Sequence, residues 1–158
     1  MRSLLIIAVA LIVVPSATAA FGISMTTASP VIAPGATLNG LDQKKTFTVV
    51  TSIANTSSGG STAGWNETAS ATIPASGTQQ LPALIVTAVT ATGGSPNATN
   101  AITWPITLGP TAVKVFNAAL NTGLGTMAVT HTLQISYPAN ALPGTYLSSM
   151  TFSLISGP

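Results

Sequence analysis

The sequence is poor in charge and has no cysteine. Its 158 residues include four basic and two acidic residues, which is 4% against about 25% in an ordinary globular domain. The basic residues, Arg2, Lys44, Lys45 and Lys114, form no cluster, and this excludes nucleic-acid binding, which needs several phosphate contacts. Without cysteine there is no disulfide, thiolate metal site or thiol catalysis, so a folded domain must be held by its core.

Groups that could carry catalysis are equally scarce. Asp42 and Glu67 are the only acids, His131 is the only histidine, and no Gly-x-Ser-x-Gly elbow occurs. Metal sites need several His, Asp or Glu ligands, and nothing in the sequence brings the two carboxylates together. We therefore expect no enzymatic activity, no metal and no cofactor, and we expect His131 to be a satisfied, neutral histidine of the core.

The polar part of the sequence consists of Thr, Ser, Asn and Gly instead of charged residues. Hydrophobic residues make up 46% of the chain, which is ordinary. A neutral hydroxyl- and amide-bearing surface hydrogen-bonds to water without a net field. It suits extracellular layers and carbohydrate neighbours better than the cytosol, where charge maintains solubility.

The N-terminus has the pattern of an export signal. A short basic region, Met1-Arg2-Ser3, precedes an apolar run over residues 4–14, and Ala17-Thr18-Ala19 has the small-x-small pattern of a cleavage site. We predict cleavage after Ala19, giving a signal peptide over residues 1–19 and a mature domain over residues 20–158. The alternative is an uncleaved membrane anchor over residues 4–23, but Pro15 interrupts that segment.

The mature chain consists of short runs of alternating polarity separated by Gly, Pro, Asn and Ser. This pattern predicts a single domain with an antiparallel β-sandwich fold. The clearest strand covers residues 127–137 and places His131 in its apolar row. The next covers residues 146–155 and places Tyr146, Met150, Phe152 and Leu154 on one face with Ser148 among them, and we expect these two strands to be antiparallel neighbours. Further strands are predicted at residues 46–54, 68–73, 84–91 and 113–116, with 101–108 at an edge or bulge because of Pro105, and a single helical turn at 118–120.

The order of motifs resembles the WxL family of cell-wall-binding domains. The front half carries Leu38-Asn39-Gly40-Leu41-Asp42-Gln43 and, after a β run, Gly60-Ser61-Thr62-Ala63-Gly64-Trp65-Asn66. The back half carries Gly123-Leu124-Gly125-Thr126, Tyr137-Pro138-Ala139-Asn140, Gly144-Thr145-Tyr146 and the terminal Phe152-Ser153-Leu154-Ile155-Ser156-Gly157-Pro158. The sequence departs from the family pattern in two places. Asn66 and Glu67 follow Trp65, so the Leu of the first motif is missing, and Phe152 replaces the Trp of the second while Leu154 is kept.

The resemblance implies non-covalent attachment to peptidoglycan and a position of the Trp65 region near the Phe152 region. The residues proposed to contact the wall polymer are Trp65, Asn66, Tyr146, Phe152 and Leu154. Trp65 could stack on a sugar ring while Asn66 hydrogen-bonds hydroxyls. The alternative is that Trp65, Tyr146 and Phe152 are core residues, with the indole N–H of Trp65 bonded to a buried partner. Trp104, ahead of Pro105, leaves the same two alternatives open.

Two functions of different classes follow. In the first, a secreted protein of the cell wall or cell surface binds peptidoglycan or another wall polymer. In the second, the protein is a structural subunit of a surface filament or layer, in which residues 21–30 add as a strand to the open sheet edge of a second copy. Concentration-dependent assembly would favour the second, and a monomeric product the first.

Overall fold

The structure is a computed structural model that describes residues 6–17, 22–27, 29–56 and 64–157. Among these residues there are strands and turns but no helix. In chain order the strands are β1 (Ile6–Ala17), β2 (Ile23–Thr27), β3 (Val31–Thr37), β4 (Gln43–Asn55), β5 (Trp65–Ala71), β6 (Ala75–Ser76), β7 (Gln79–Gln80), β8 (Ile85–Gly93), β9 (Ile106–Thr107), β10 (Val113–Ala118), β11 (Gly125–Tyr137) and β12 (Gly144–Ser156).

The strands form two sheets that pack together as a sandwich, and this confirms the predicted all-β fold. Sheet A has the order β10-β5-β12-β1-β3, with the short β6 pairing with β12 and β7 pairing with β6. Sheet B has the order β2-β4-β11-β8-β9. All described pairings are antiparallel except that of β1 with β12, which is parallel. No helix in the described part of the chain is long and apolar enough to cross a membrane.

Strand β11 has the alternation that the sequence predicts. Its odd-numbered residues from Met127 to Tyr137, including His131, are buried, whereas Thr130, Thr132 and their even-numbered neighbours are partly exposed. Since successive side chains of a strand point to opposite faces, the apolar row of β11 covers the core and the hydroxyl row lies on the outside of sheet B.

Strand β12 also buries its predicted face, but the prediction that it pairs with β11 is wrong. Tyr146, Ser148, Met150, Phe152 and Leu154 are all buried. β12 lies in sheet A and β11 in sheet B, so the two strands face each other across the core instead of pairing. Each carries a row of large apolar side chains on one face, and opposition across the core buries both rows. The connection over residues 138–143 therefore carries the chain from one sheet to the other.

The remaining predicted strands are present with shifted ends. The segment with Pro105 contributes only β9, at the edge of sheet B, as the proline predicts. The helical turn predicted at residues 118–120 does not form, because Ala118 ends β10 and a tight turn follows in which the Thr122 amide donates to the Ala119 carbonyl. Residues 57–63, between β4 and β5 in the sequence, lie outside the described residues.

The N-terminal segment supplies two strands to the sandwich. β1, within the predicted signal peptide, lies between β12 and β3 in sheet A, while β2 pairs with β4 at the edge of sheet B. Of the segment 21–30 that the second proposed function assigns to a neighbouring copy, residues 23–27 pair with β4 of their own domain in this structure. Export and cleavage after Ala19 stay predictions.

Candidate functional site

The five residues predicted to contact a wall polymer lie on two paired strands. Trp65 and Asn66 begin β5, and Tyr146, Phe152 and Leu154 belong to β12. β5 and β12 are antiparallel neighbours, with Leu154 opposite Glu67 and Ser156 opposite Trp65. The two motif regions therefore meet, as the family resemblance implies.

All five of these side chains are buried, however. Trp65 is 1% exposed, and its ring packs against Phe116 with 5.7 Å between the ring centroids. Phe152 packs against His131 with 4.6 Å between the ring centroids, and the Tyr146 hydroxyl donates to the Leu142 carbonyl at 2.8 Å. In this conformation none of the five offers a face on which a sugar could stack, so they act as core residues. The expected partner of the Trp65 indole is missing too, since among the described residues nothing accepts from its N–H.

Asn66 joins the start of β5 to the end of the chain. Its side-chain amide donates to the carbonyl of Gly157, and the Gly157 amide donates to the carbonyl of Gly64 at 3.1 Å. Gly64 itself has φ of +68°, and a Cβ there would lie 2.6 Å from the Ala118 carbonyl oxygen. The Gly64-Trp65-Asn66 motif thus fixes the junction of β5, β10 and β12, which is a structural role.

Trp104 has a mixed environment. Its ring is half-buried against the core, and its indole N–H donates to the Val115 carbonyl at 3.0 Å. The two alternatives for this residue are thereby decided in favour of packing with a satisfied polar group.

A buried polar cluster joins the two sheets through Thr51, Glu67 and His131. His131 Nε2 lies 3.2 Å from Glu67 Oε2, and the Thr51 hydroxyl donates to Glu67 Oε1 at 2.8 Å. Thr51 and His131 belong to sheet B and Glu67 to sheet A. The predicted core position of His131 is confirmed, but the ring is not fully satisfied, because Nδ1 has no hydrogen-bond partner among the described residues. The approach to Glu67 was not predicted, since it depends on the packing of one sheet on the other.

The cluster has the residue types of a catalytic triad without the access that catalysis needs. All three residues have no exposed surface. Among the described residues, neither His131 Nδ1 nor Glu67 Oε2 has a hydrogen-bond partner, so the 3.2 Å approach of Nε2 to Oε2 is a close polar contact without the alignment of a hydrogen bond. A substrate cannot reach these atoms in this conformation, so the cluster is a structural link. No group of three or more potential metal-ligating residues occurs in the part of the chain that the structure describes.

The other acid, Asp42, lies at the surface. Its carboxylate accepts from the Ala139 amide at 2.7 Å and so holds the connection that follows β11. A shallow depression of about 180 Å³ lies beside it and is lined by Asp42, Gln43, Lys44, Pro82, Ser136, Tyr137 and Pro138. Ligand pockets are commonly about 300–1,000 Å³, so this depression is small for a drug-sized molecule.

The outer face of sheet B carries rows of side chains in register across its strands. Thr90, Thr130 and the exposed Val50 form one row, and Ala88, Thr132 and Thr48 form the next. A third row joins Thr92, Ala128, Ser52 and Thr26 over four strands. These side chains are exposed or half-exposed. The three rows carry no charge. Their hydroxyl residues were not among the predicted site residues, because that prediction was based on aromatic side chains.

Comparison with known proteins finds no matching protein-family model and no curated protein of significant similarity. The resemblance to WxL domains therefore depends on the motifs quoted above.

Proposed function

We propose that this protein is exported to the cell surface and binds non-covalently to peptidoglycan or a similar wall polymer. The proposal is supported by the export pattern at residues 1–19 and by the order of WxL-like motifs. The observation that carries it furthest is the outer face of sheet B, where hydroxyl-bearing residues of neighbouring strands, Thr130 with Thr90 and Thr132 with Thr48, lie about 4.8 Å apart, the spacing of paired strands. Such a face can exchange hydrogen bonds with the hydroxyl and amide groups of a glycan strand.

The binding surface proposed here differs from the aromatic one expected from sequence. Trp65 and Phe152 shape the core beneath sheet A, and the polymer lies on the opposite side of the sandwich, along the rows centred on Thr130 and Thr132. No catalytic step is part of the proposal, because Glu67 and His131 are buried. Burial of hydroxyls that remain hydrogen-bonded gives modest affinity per contact, so binding depends on many repeats along a long polymer.

Co-sedimentation with purified peptidoglycan sacculi tests the proposal. The parent protein is expected to pellet with sacculi at low and at high salt, because neutral hydrogen bonds are not screened. Thr132→Lys on sheet B should reduce pelleting, since a long charged side chain stands in the middle of the rows. Thr151→Lys is the matched control, because Thr151 is half-exposed on the central strand β12 of the opposite sheet.

Three results would contradict wall binding through this face. The parent protein could stay in the supernatant, both lysine variants could lose binding equally, or high salt alone could release the protein. Circular dichroism of both variants separates lost binding from lost folding.

A second candidate function is that of a structural subunit in a surface filament or layer built by β-strand addition. It is supported by the position of β1, because a segment with the pattern of a removable signal forms an interior strand of sheet A. Removal of such a strand leaves a site for a strand from elsewhere.

A further inference from the structure

The place of β1 in sheet A has a consequence for the mature protein. β1 runs parallel to β12 over Gly144–Leu154 and antiparallel to β3 over Val31–Thr37. Cleavage after Ala19 removes all of β1. We call the space that it leaves between β12 and β3 the β1 slot.

An empty slot exposes backbone groups on both of its walls. β12 keeps β5 on its other side, but β3 pairs with no described strand except β1. Backbone N–H and C=O groups require partners, and unpaired strand edges recruit strands from other chains. The mature domain therefore needs a substitute for β1.

We propose that the β1 slot of each mature domain is filled by residues 20–27 of a second copy. This inference depends on the predicted cleavage and on the assembly role proposed above. After cleavage these residues are the new N-terminus, and in the present structure β2 pairs with β4 alone, at the edge of sheet B. Terminal edge strands can leave a domain without breaking any other pairing, which is the requirement for exchange between copies.

The donated segment suits the slot in polarity and pattern. Residues 20–27 carry no charge, and Phe21, Ile23 and Met25 alternate with small residues. In β2, Ile23 and Met25 are buried and Ser24 is exposed. The same alternation places Ile23 and Met25 towards the core of the acceptor and Ser24 towards the solvent.

The rims of the slot also suit contact with another chain. Ile32 on β3 and Leu147 on β12 lie opposite Ala10 of β1, one on each side, and they are 74% and 55% exposed. Exposed apolar side chains of this size on both sides of one strand favour a covered interface. Over Ile7–Leu11 the slot has both walls, a length that a segment of residues 20–27 spans.

Such an exchange is heterologous, because the donating and accepting surfaces differ. Each copy gives its N-terminal strand to one neighbour and receives a strand from another. A contact of this kind continues indefinitely unless a rotation closes it, so it produces a filament or ring.

Engineered disulfides test the proposal with little ambiguity, since the chain has no cysteine of its own. The full chain carrying Ser24→Cys and Leu147→Cys is exported from a bacterial host, and the length of the product is measured by mass spectrometry. Within one chain these residues lie on the outer faces of opposite sheets, beyond the roughly 7 Å Cα separation that a disulfide permits. A ladder of oxidised multimers on a non-reducing gel, absent from each single variant, is the expected result.

The control variant carries Ser24→Cys and Ala54→Cys. These two residues are paired in register between β2 and β4, so their disulfide holds β2 in its own domain. Oxidised, this variant is expected to remain monomeric by size-exclusion chromatography, and reduction should restore assembly.

A processed Ser24→Cys/Leu147→Cys protein that stays monomeric overturns the proposal, and so does an exported product that keeps residues 1–19. Thr132→Lys in the same background should still form the ladder, so a failure of wall binding is distinguished from a failure of assembly.

Discussion

Glu67 and His131 are held 3.2 Å apart in the middle of the sandwich, one from each sheet, with no solvent access to either. Phe152 packs against the imidazole ring, and the Thr51 hydroxyl donates to the carboxylate while lying 3.4 Å from His131 Nε2. Burying polar groups is costly, and the cost is offset only when their polar atoms are bonded. Glu67 Oε1 is bonded by Thr51, but Glu67 Oε2 and His131 Nδ1 have no hydrogen-bond partner among the described residues, so the cost is only partly offset and each member of the pair depends on the other.

Removing one member of this pair is expected to destabilise the domain severely. Glu67→Leu or His131→Leu alone should lower the free energy of unfolding by about 3–5 kcal/mol, because a buried polar partner is left uncompensated. The variant with Glu67→Leu and His131→Leu together should be more stable than the sum of the single losses implies. Urea unfolding of the four members of this cycle measures the coupling, and strict additivity would show that the two side chains do not interact.

Replacement of Trp65 tests whether this residue acts in the core or at a binding surface. Trp65→Ala should lower the free energy of unfolding by about 3–5 kcal/mol, as for other large aromatic side chains of a core. Trp65→Phe keeps most of the packing against Phe116 and should leave sacculus binding unchanged. If a folded Trp65→Phe protein loses binding, the indole contacts the polymer directly, and the sheet B surface is not the main site.

The alternation along residues 127–137 and 146–155 was sufficient to predict which side chains of β11 and β12 are buried. This worked because the period of two depends on strand geometry alone. The partner of each strand was not predictable in the same way, since two strands with one apolar face each can pair side by side or oppose each other across a core. The six-residue connection at 138–143 permits both arrangements.

The candidate site was harder to predict than the fold. The motif order correctly predicted that the regions of Trp65 and Phe152 lie close together. It did not predict whether their side chains are buried or exposed, because an aromatic residue in or beside a strand can be either. The link between Glu67 and His131 depends on packing of two sheets and leaves no trace in local sequence. The sheet B face was visible as the polar row at Thr130 and Thr132, yet its regularity depends on the registers of β4 and β8 with β11.

Gly64 and Gly77 form a matched pair for testing the junction before Trp65. Both have positive φ, +68° and +60°, but a Cβ at Gly64 would lie 2.6 Å from a backbone oxygen, while at Gly77 it would meet open space. Gly77→Ala should cost about 1–2 kcal/mol, the ordinary penalty of a left-handed backbone. Gly64→Ala should cost clearly more, because the backbone of residues 118–120 must also move. Equal losses in thermal unfolding would show that the close approach at Gly64 has no energetic effect.

Tyr137 should make the stability of the domain dependent on alkaline pH. Burial raises the pKa of its hydroxyl to about 12, and that hydroxyl donates to the Pro34 carbonyl at 2.7 Å. In the unfolded chain the group ionises near pH 10, a common value for tyrosine. Its contribution is fully present below about pH 10 and is lost between about pH 10 and 12, because there the unfolded state has released a proton that the folded state keeps.

Tyr137→Phe isolates this effect from the titration of the lysines. At neutral pH the variant should be less stable by about 1 kcal/mol, because the hydrogen bond to Pro34 is lost. As the pH rises from about 9 to about 11, the gap between parent and variant should narrow, since only the parent loses the tyrosine contribution. Urea unfolding at a series of pH values measures this gap. A gap that stays constant across the series would mean that Tyr137 ionises as readily in the folded domain as in the unfolded chain.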